Sequence, residues 1–418
     1  MTIDFLRAHE ILDSRGWPTV EVILRLKNGI ETTASVPSGA SKGMAEAIEL
    51  RDANPERFNG RGVLRAVYHI NDIIAPILIG QPSDVVAIDE LLVSLDGTPN
   101  KKQLGANAIL PVSLAVARAQ AKAHNMPFYG LVQELMQSDQ VSLPYCLFNI
   151  INGGLHADSG LAVQEFMIVP QQFTSIGELL SIATEVYECL RGDLAAQRYH
   201  TTIGDEGGFA PVFNDKGFDK ERRALDMLVR AIQKAGYNFD KVAIALDVAV
   251  SQFFNMKSRR YDFYGTSYTQ EELVGFYDDL AKAYPIISIE DGMHEDDMQG
   301  WKLLTKELGN EIQLVGDDVF VTSAERIQAG IDNGIANAVL IKPNQIGTLT
   351  ETLAAIMTAQ EHEYGVVLSH RSGETNDDYI VDIAAGSNAG QLKAGAPVRG
   401  ERVAKYNRML AIERDYVS

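Results

Sequence analysis

The chain has 418 residues, 46% of them hydrophobic and 22% charged, a globular composition with material for two or three domains. Lys and Arg number 37 against 56 Asp and Glu, a net charge of -19. Such a chain repels nucleic acid and anionic lipid, so an anionic substrate would need a locally positive pocket or a bound cation. The two cysteines, Cys146 and Cys189, are too few for a disulfide framework. Residues 1–10 lack an apolar signal core and no apolar run is long enough to span a bilayer, so the expectation is a cytoplasmic protein without a membrane span.

Residues 3–7 and 19–36 read as strands. Val20, Val22, Leu24 and Leu26 alternate, Asn28-Gly29 turns the chain, and Thr32, Ala34 and Val36 alternate again. A loop of small residues follows, 37–43. The apolar spacing then turns helical at Val63, Val67, Ile70, Ile74 and Ile77, and again over 106–123, where Pro111 predicts a kink. Residues 1–140 thus form a small α+β domain.

From about residue 143, short apolar runs alternate with amphipathic stretches. The clearest are 242–246, 286–289, 312–315, 338–341, 366–369 and 391–392, most followed by a segment of helix length. This rhythm predicts βα units around a parallel sheet or barrel over 141–418. Asp247, Glu290, Asp317, Lys342, His370 and Lys393 close the runs, at spacings of 43, 27, 25, 28 and 23 residues. In a barrel the C-terminal strand ends converge on one site, so three carboxylates, two lysines and a histidine should meet there. Carboxylate oxygens with room for water and substrate suit Mg²⁺. Any one of these residues alone would read as a helix cap or a surface charge; six at equivalent positions read as a site. Glu295-Asp296-Asp297 reads only as a helix cap.

Four further motifs join them. Gly204-Asp205-Glu206-Gly207-Gly208 sets a carboxylate where backbone can approach a ligand. Asn152-Gly153-Gly154-Leu155-His156 presents a histidine on a turn. Gln164-Glu165 precedes the apolar run Phe166-Met167-Ile168, and Ser369-His370-Arg371-Ser372-Gly373 puts a guanidinium and a hydroxyl beside the barrel mouth, chemistry suited to an anion.

With these motifs in view, the chain closely resembles the enolase family. The resemblance runs over nearly its whole length, through Asp13-Ser14-Arg15-Gly16, Ser38-Gly39-Ala40-Ser41, Gly105-Ala106-Asn107-Ala108, Gln164-Glu165-Phe166-Met167, Gly204-Asp205-Glu206-Gly207-Gly208, Ser288-Ile289-Glu290-Asp291, Asn344-Gln345-Ile346-Gly347-Thr348 and Ser369-His370-Arg371-Ser372-Gly373. It implies an N-terminal α+β domain followed by a (β/α)8-type barrel of the enolase kind, assembled as a homodimer or larger homo-oligomer. The implied activity is that of a phosphopyruvate hydratase of glycolysis, a lyase interconverting 2-phosphoglycerate and phosphoenolpyruvate plus water with two Mg²⁺ per site. Asp247, Glu290 and Asp317 would hold the first Mg²⁺, and Ser41 would cap the second when its loop closes. Lys342 would be the base and Glu206 the acid. Arg371 and Ser372 would hold phosphate, Lys393 carboxylate, and Gln164, Glu165, His156 and His370 would line the site. Lys393 and the metals should lower the pKa of Lys342, which must be neutral to act as a base.

The family pattern is broken at Trp17, Lys42, Pro111, Val250, Gln252, Ala394, Val398, Gly400 and Ala411. Lys42 and Ala394 adjoin substrate positions, so a paralogue acting on a phosphonate or a bulkier carboxylate is the second reading. A non-catalytic structural or adhesive protein is the third.

Overall fold

The structure, a computed structural model, describes residues 1–39 and 43–417; Ser41 and Lys42 lie outside them. The first sheet is antiparallel, in the order β1 (Ile3–Leu12), β2 (Pro18–Leu26), β3 (Glu31–Ser35). β1 outruns the predicted 3–7 because β2 supplies partners along its length, as far as Leu12 opposite Pro18. Val20, Val22, Leu24 and Leu26 all face the core. The helix Ala106–Ala123 runs on through Pro111 and is buried nearly all round. It lies between the sheet and the barrel: Thr32 donates to the Ala115 carbonyl at 2.9 Å on one side, and Ser113 accepts from Leu349 N at 2.9 Å on the other.

Among the described residues, eight strands close a barrel: β4 (Tyr145–Asn152), β5 (Glu165–Pro170), β6 (Val242–Asp247), β7 (Ile286–Glu290), β8 (Gln313–Gly316), β9 (Ala338–Ile341), β10 (Gly365–Ser369) and β11 (Gly390–Lys393). β5 runs antiparallel to both its neighbours, β4 and β6, while the remaining pairs are parallel. The link from β4 to β5 carries only a single turn at Gly154–His156, with no helix to carry the chain back for a parallel strand. This reversal shapes the site. Glu165 starts its strand, yet it pairs with Asn152 and Asp247 at the ends of theirs, so it joins the same mouth. Two helices in succession, Ile176–Ala196 and Asp219–Lys234, then lead to β6.

The barrel interior is a separate apolar cluster that includes Leu147, Met167, Ala245, Val315, Leu340 and Val367. Below it, Gln313 and Gln391 exchange amide hydrogen bonds of 2.9 and 2.6 Å. Packed side chains therefore fill the barrel, and its chemistry is confined to the C-terminal mouth. Outer helices start on side-chain caps: Ser175, Ser323 and Thr348, and Thr269 in a capping box with Glu272. A small hairpin sheet over 254–268 follows β6, an insertion that the βα rhythm does not predict. Among the described residues no helix is long and apolar enough to cross a membrane.

Candidate active site

Among the described residues, the predicted ones reach the mouth by local causes. Asp247, Glu290 and Lys393 end β6, β7 and β11; Asp317, Lys342 and His370 are the first residues beyond β8, β9 and β10. Glu206 comes in on a turn that Phe209 fastens to the end of β4, through bonds to Ile150 and Asn152 of 2.8 Å each. That turn needs its glycines, because a Cβ on Gly208 would lie 2.3 Å from the Asn152 amide oxygen. His156, Gln164, Glu165, Glu206, Asp247, Lys342, His370, Arg371, Ser372 and Lys393 line one small cavity, with Ser369.

The carboxylates are organised by the two lysines. Lys393 Nζ lies 3.0 Å from Asp247, 2.8 Å from Glu290 and 3.3 Å from Glu165. Lys342 pairs with Asp317, which also accepts from Gln345 at 2.9 Å. Burial and the nearby Asp247 push Glu290 well above the usual carboxylate range. Asp317 is lowered: burial opposes its charge, but Lys342 outweighs it. Opposing influences meet at Lys342. Burial favours its neutral form and Arg371 and Lys393 act in the same direction, yet Asp317 prevails and the pKa is raised.

Asp247, Glu290 and Asp317 do not converge as one tight set here, since each turns to a lysine. The donor oxygens that cluster within 4.8 Å among the described residues belong instead to Asp291, Asp317 and Asp318, and to Glu165 and Glu206 with His156. The chemistry of the predicted trio nevertheless fits a hard divalent cation: three buried carboxylates at the C-terminal ends of three neighbouring strands. Asp291 stands in the motif 288–291, but the sequence alone assigns it no role. It accepts from the backbone N of Asp317 at 2.8 Å and of Asp318 at 3.1 Å, so it fixes the start of the Asp317 turn.

Across the cavity, His156 Nδ1 lies 3.3 Å from Glu165 and 3.5 Å from Glu206. Burial and the charge of Glu206 raise Glu165 to about 7. Glu206 moves the other way: burial resists its charge, but His156 and then His370 and Arg402 hold it well below the usual range, and Asn149 donates to it at 3.0 Å. Of the pair, Glu165 is thus the member that binds a proton more readily and Glu206 the one whose charge is supported.

Arg371 and Ser372, expected to hold an anion, are themselves held by neighbours. Arg371 is gripped by Glu46 and donates to Asn344 at 3.1 Å; Arg15 donates to Ser372 Oγ at 3.3 Å. Glu46, Gln345, Asn149 and Arg402 are contributors that sequence reasoning missed. The one available sign was a polar residue inside an apolar strand, as Asn149 is. Asp297 caps the helix at Met298 as expected, whereas Glu295 turns to the small-residue loop and accepts from Met44 N at 3.2 Å.

Several departures from the family pattern touch this region. Ala394 is fully buried next to Lys393, and a Cβ on Gly207 would lie 3.0 Å from Val398. Gln252 approaches Gly154, and Trp17 is stacked between Arg15 and Arg61, whose guanidinium carbons lie 4.2 and 3.5 Å from its ring centre.

Residues 3–132 match the family model described as Enolase, N-terminal domain, and residues 140–418 match that described as Enolase, C-terminal TIM barrel domain.

Proposed function

From the premise that the chain belongs to the enolase family, we propose that this lyase interconverts 2-phosphoglycerate and phosphoenolpyruvate plus water. The observation that carries the reading is the opposition of a base and an acid pair across one small cavity. In the ring of eight strands, the β9 end that bears Lys342 lies four strands from the β5 start that bears Glu165, counted either way.

Lys342 takes the proton beside the substrate carboxylate. That proton is very weakly acidic, because its removal leaves a dianionic enediolate. A divalent cation, when bound to Asp247, Glu290 and Asp317, supplies positive charge to the carboxylate oxygens as this charge develops. With Asp317 committed to the cation, Lys342 loses the partner that keeps it protonated, and Arg371 and Lys393 favour its neutral form. Lys393 holds the substrate carboxylate; Arg371 and Ser372 hold the phosphate. Hydroxide is a poor leaving group, so the Glu165–Glu206 pair delivers a proton to it from the opposite side, with His156 near both carboxylates and His370 beside Glu206. A second Mg²⁺ near Ser41, an N-terminal unit over 1–140 and a barrel over 141–418, a cytoplasmic site of action in glycolysis and a homodimer or larger homo-oligomer complete the proposal.

The test is Mg²⁺-dependent conversion of 2-phosphoglycerate by the pure protein, followed through the ultraviolet absorbance of phosphoenolpyruvate. Absence of conversion would overturn the substrate assignment. Ala394 and Val398 support one alternative, because both sit beside the Lys393 and Glu206 segments: a paralogue acting on a related phosphonate or carboxylate. It would show turnover of such a compound in place of 2-phosphoglycerate.

A further inference from the structure

Arg402 is fully buried in the last helix, Gly400–Val417. Its stem passes Gly395, where a Cβ would lie 2.9 Å from Arg402 Cδ. Its guanidinium ends among the loops of the mouth. Nη2 donates to the carbonyls of Asp205 at 3.1 Å and Ser372 at 2.7 Å. Nη1 donates to the Arg371 carbonyl at 2.7 Å and lies 2.6 Å from His370 Nδ1. A guanidinium has only donors and does not lose its proton in a protein. An imidazole nitrogen at that distance must therefore be the acceptor, because two N–H groups would otherwise face each other. A neutral ring whose Nδ1 accepts carries its hydrogen on Nε2. Nε2 lies 3.3 Å from Glu206 Oε2, close enough to pair but off the line of a full hydrogen bond, so the N–H points into the cavity beside that carboxylate.

We propose that Arg402 is a positioning residue that locks His370 as the neutral Nε2–H tautomer and so keeps a fixed donor beside Glu206. This rests on the lyase reading above. In that reaction the donor holds the Glu206 carboxylate in place while the Glu165–Glu206 pair passes its proton to the departing hydroxide. A cationic His370 would instead compete for the role of acid. Burial, with Arg402 alongside, pushes the ring down to about 3 despite Glu206, in keeping with a ring that stays neutral.

The test uses the full-length protein labelled with [15N]histidine; the chain has eight histidines. Long-range 1H–15N correlation spectra distinguish the two tautomers and the imidazolium, and the His370→Gln variant identifies the ring by its loss. The expected result is a pyridine-like Nδ1 and a pyrrole-like Nε2 for His370, unchanged from pH 6 to pH 8. A protonated Nδ1, or a ring that titrates in this range, would overturn the proposal. Because no substrate is needed, the spectrum decides the tautomer even if 2-phosphoglycerate proves to be the wrong substrate. Arg402→Met, checked for folding by circular dichroism, should release the ring into a tautomer mixture; a folded variant with an unchanged ring also overturns it. On activity, Gln at 370 can place an amide N–H where Nε2–H stands and Asn cannot. His370→Gln should keep about ten-fold more kcat than His370→Asn, with similar KM. Equal kcat would remove Glu206 from the argument.

Discussion

Glu46 grips Arg371 with both carboxylate oxygens, Oε2 at 3.0 Å from Nη1 and Oε1 at 3.2 Å from Nη2. The contact joins the first part of the chain to the anion side of the barrel mouth, and both residues are buried. Gly39 makes room for it, since a Cβ there would lie 2.0 Å from Arg371 Nη2. The same carboxylate accepts from Gln345 at 3.2 Å and from Gly43 N at 3.1 Å, so it also holds the end of the small-residue loop. Removing one member of a buried pair strands the charge of the other. Glu46→Ala should lower stability by about 3 kcal/mol, read from urea unfolding. The double variant Glu46→Ala with Arg371→Met should recover most of that loss. If Glu46→Ala unfolds at the wild-type midpoint, the pair contributes little.

The opposition of Lys342 to the Glu165–Glu206 pair predicts that two half-reactions separate. Lys342→Ala should reduce exchange of the substrate α-proton with solvent by on the order of 10²–10⁴-fold. Glu206→Gln should retain exchange and block loss of hydroxide. Proton exchange followed by NMR in deuterated buffer, beside absorbance of the product, reads both steps. Normal exchange in Lys342→Ala would show that another group is the base.

Metal dependence follows from the three strand-end carboxylates. Excess chelator should abolish turnover and Mg²⁺ restore it. Asp317→Ala should weaken Mg²⁺ binding by titration calorimetry while its circular dichroism stays that of the folded barrel, because Asp317 lies beyond β8 and contributes nothing to the apolar interior. Full activity in chelator would sink this assignment.

Why some of this was legible in the sequence and some was not has a physical answer. Parallel strands buried on both faces read as short apolar runs, and a charged residue ending each run stands out; Asp247, Glu290, Lys342 and Lys393 were found in that way. The direction of β5 was not legible, because the run 166–169 looks the same whichever way the strand points. Only the want of a helix between β4 and β5 hints at the reversal, and that reversal is what brings Glu165 to the mouth. Arg402 was hidden for a different reason. In Gly400-Glu401-Arg402-Val403 it looks like a solvated charge on a helix, and its burial depends on loops nearly 200 residues earlier, at Asp205. Trp17 departs from the family pattern, and only the fold shows its place between two arginines.

Asp89 gives a prediction about pH, far from the mouth. It is fully buried on the helix Val85–Asp96, where Oδ2 accepts from Thr350 N at 3.0 Å and Oδ1 has no partner among the described residues. Thr350 begins the helix Leu349–Glu361, which follows β9, so Asp89 sits where the first part of the chain meets the barrel's outer layer. Burial pushes its carboxyl from 3.8 up to about 7. Below pH 4 the group is protonated in both folded and unfolded chains, and its contribution to stability is fully present. Between about pH 4 and pH 7 the unfolded chain releases the proton while the folded chain keeps it, so stability falls as pH rises. Above pH 7 both forms are ionised and the loss is complete, on the order of 4 kcal/mol. Asp89→Asn keeps an acceptor for Thr350 N and cannot ionise. The variant should therefore be modestly more stable than wild type at pH 5 and much more so at pH 8, with the gap widening through this range in urea unfolding. A difference between the two proteins that does not change from pH 5 to pH 8 would mean that Asp89 ionises in the folded protein as it does in the unfolded chain.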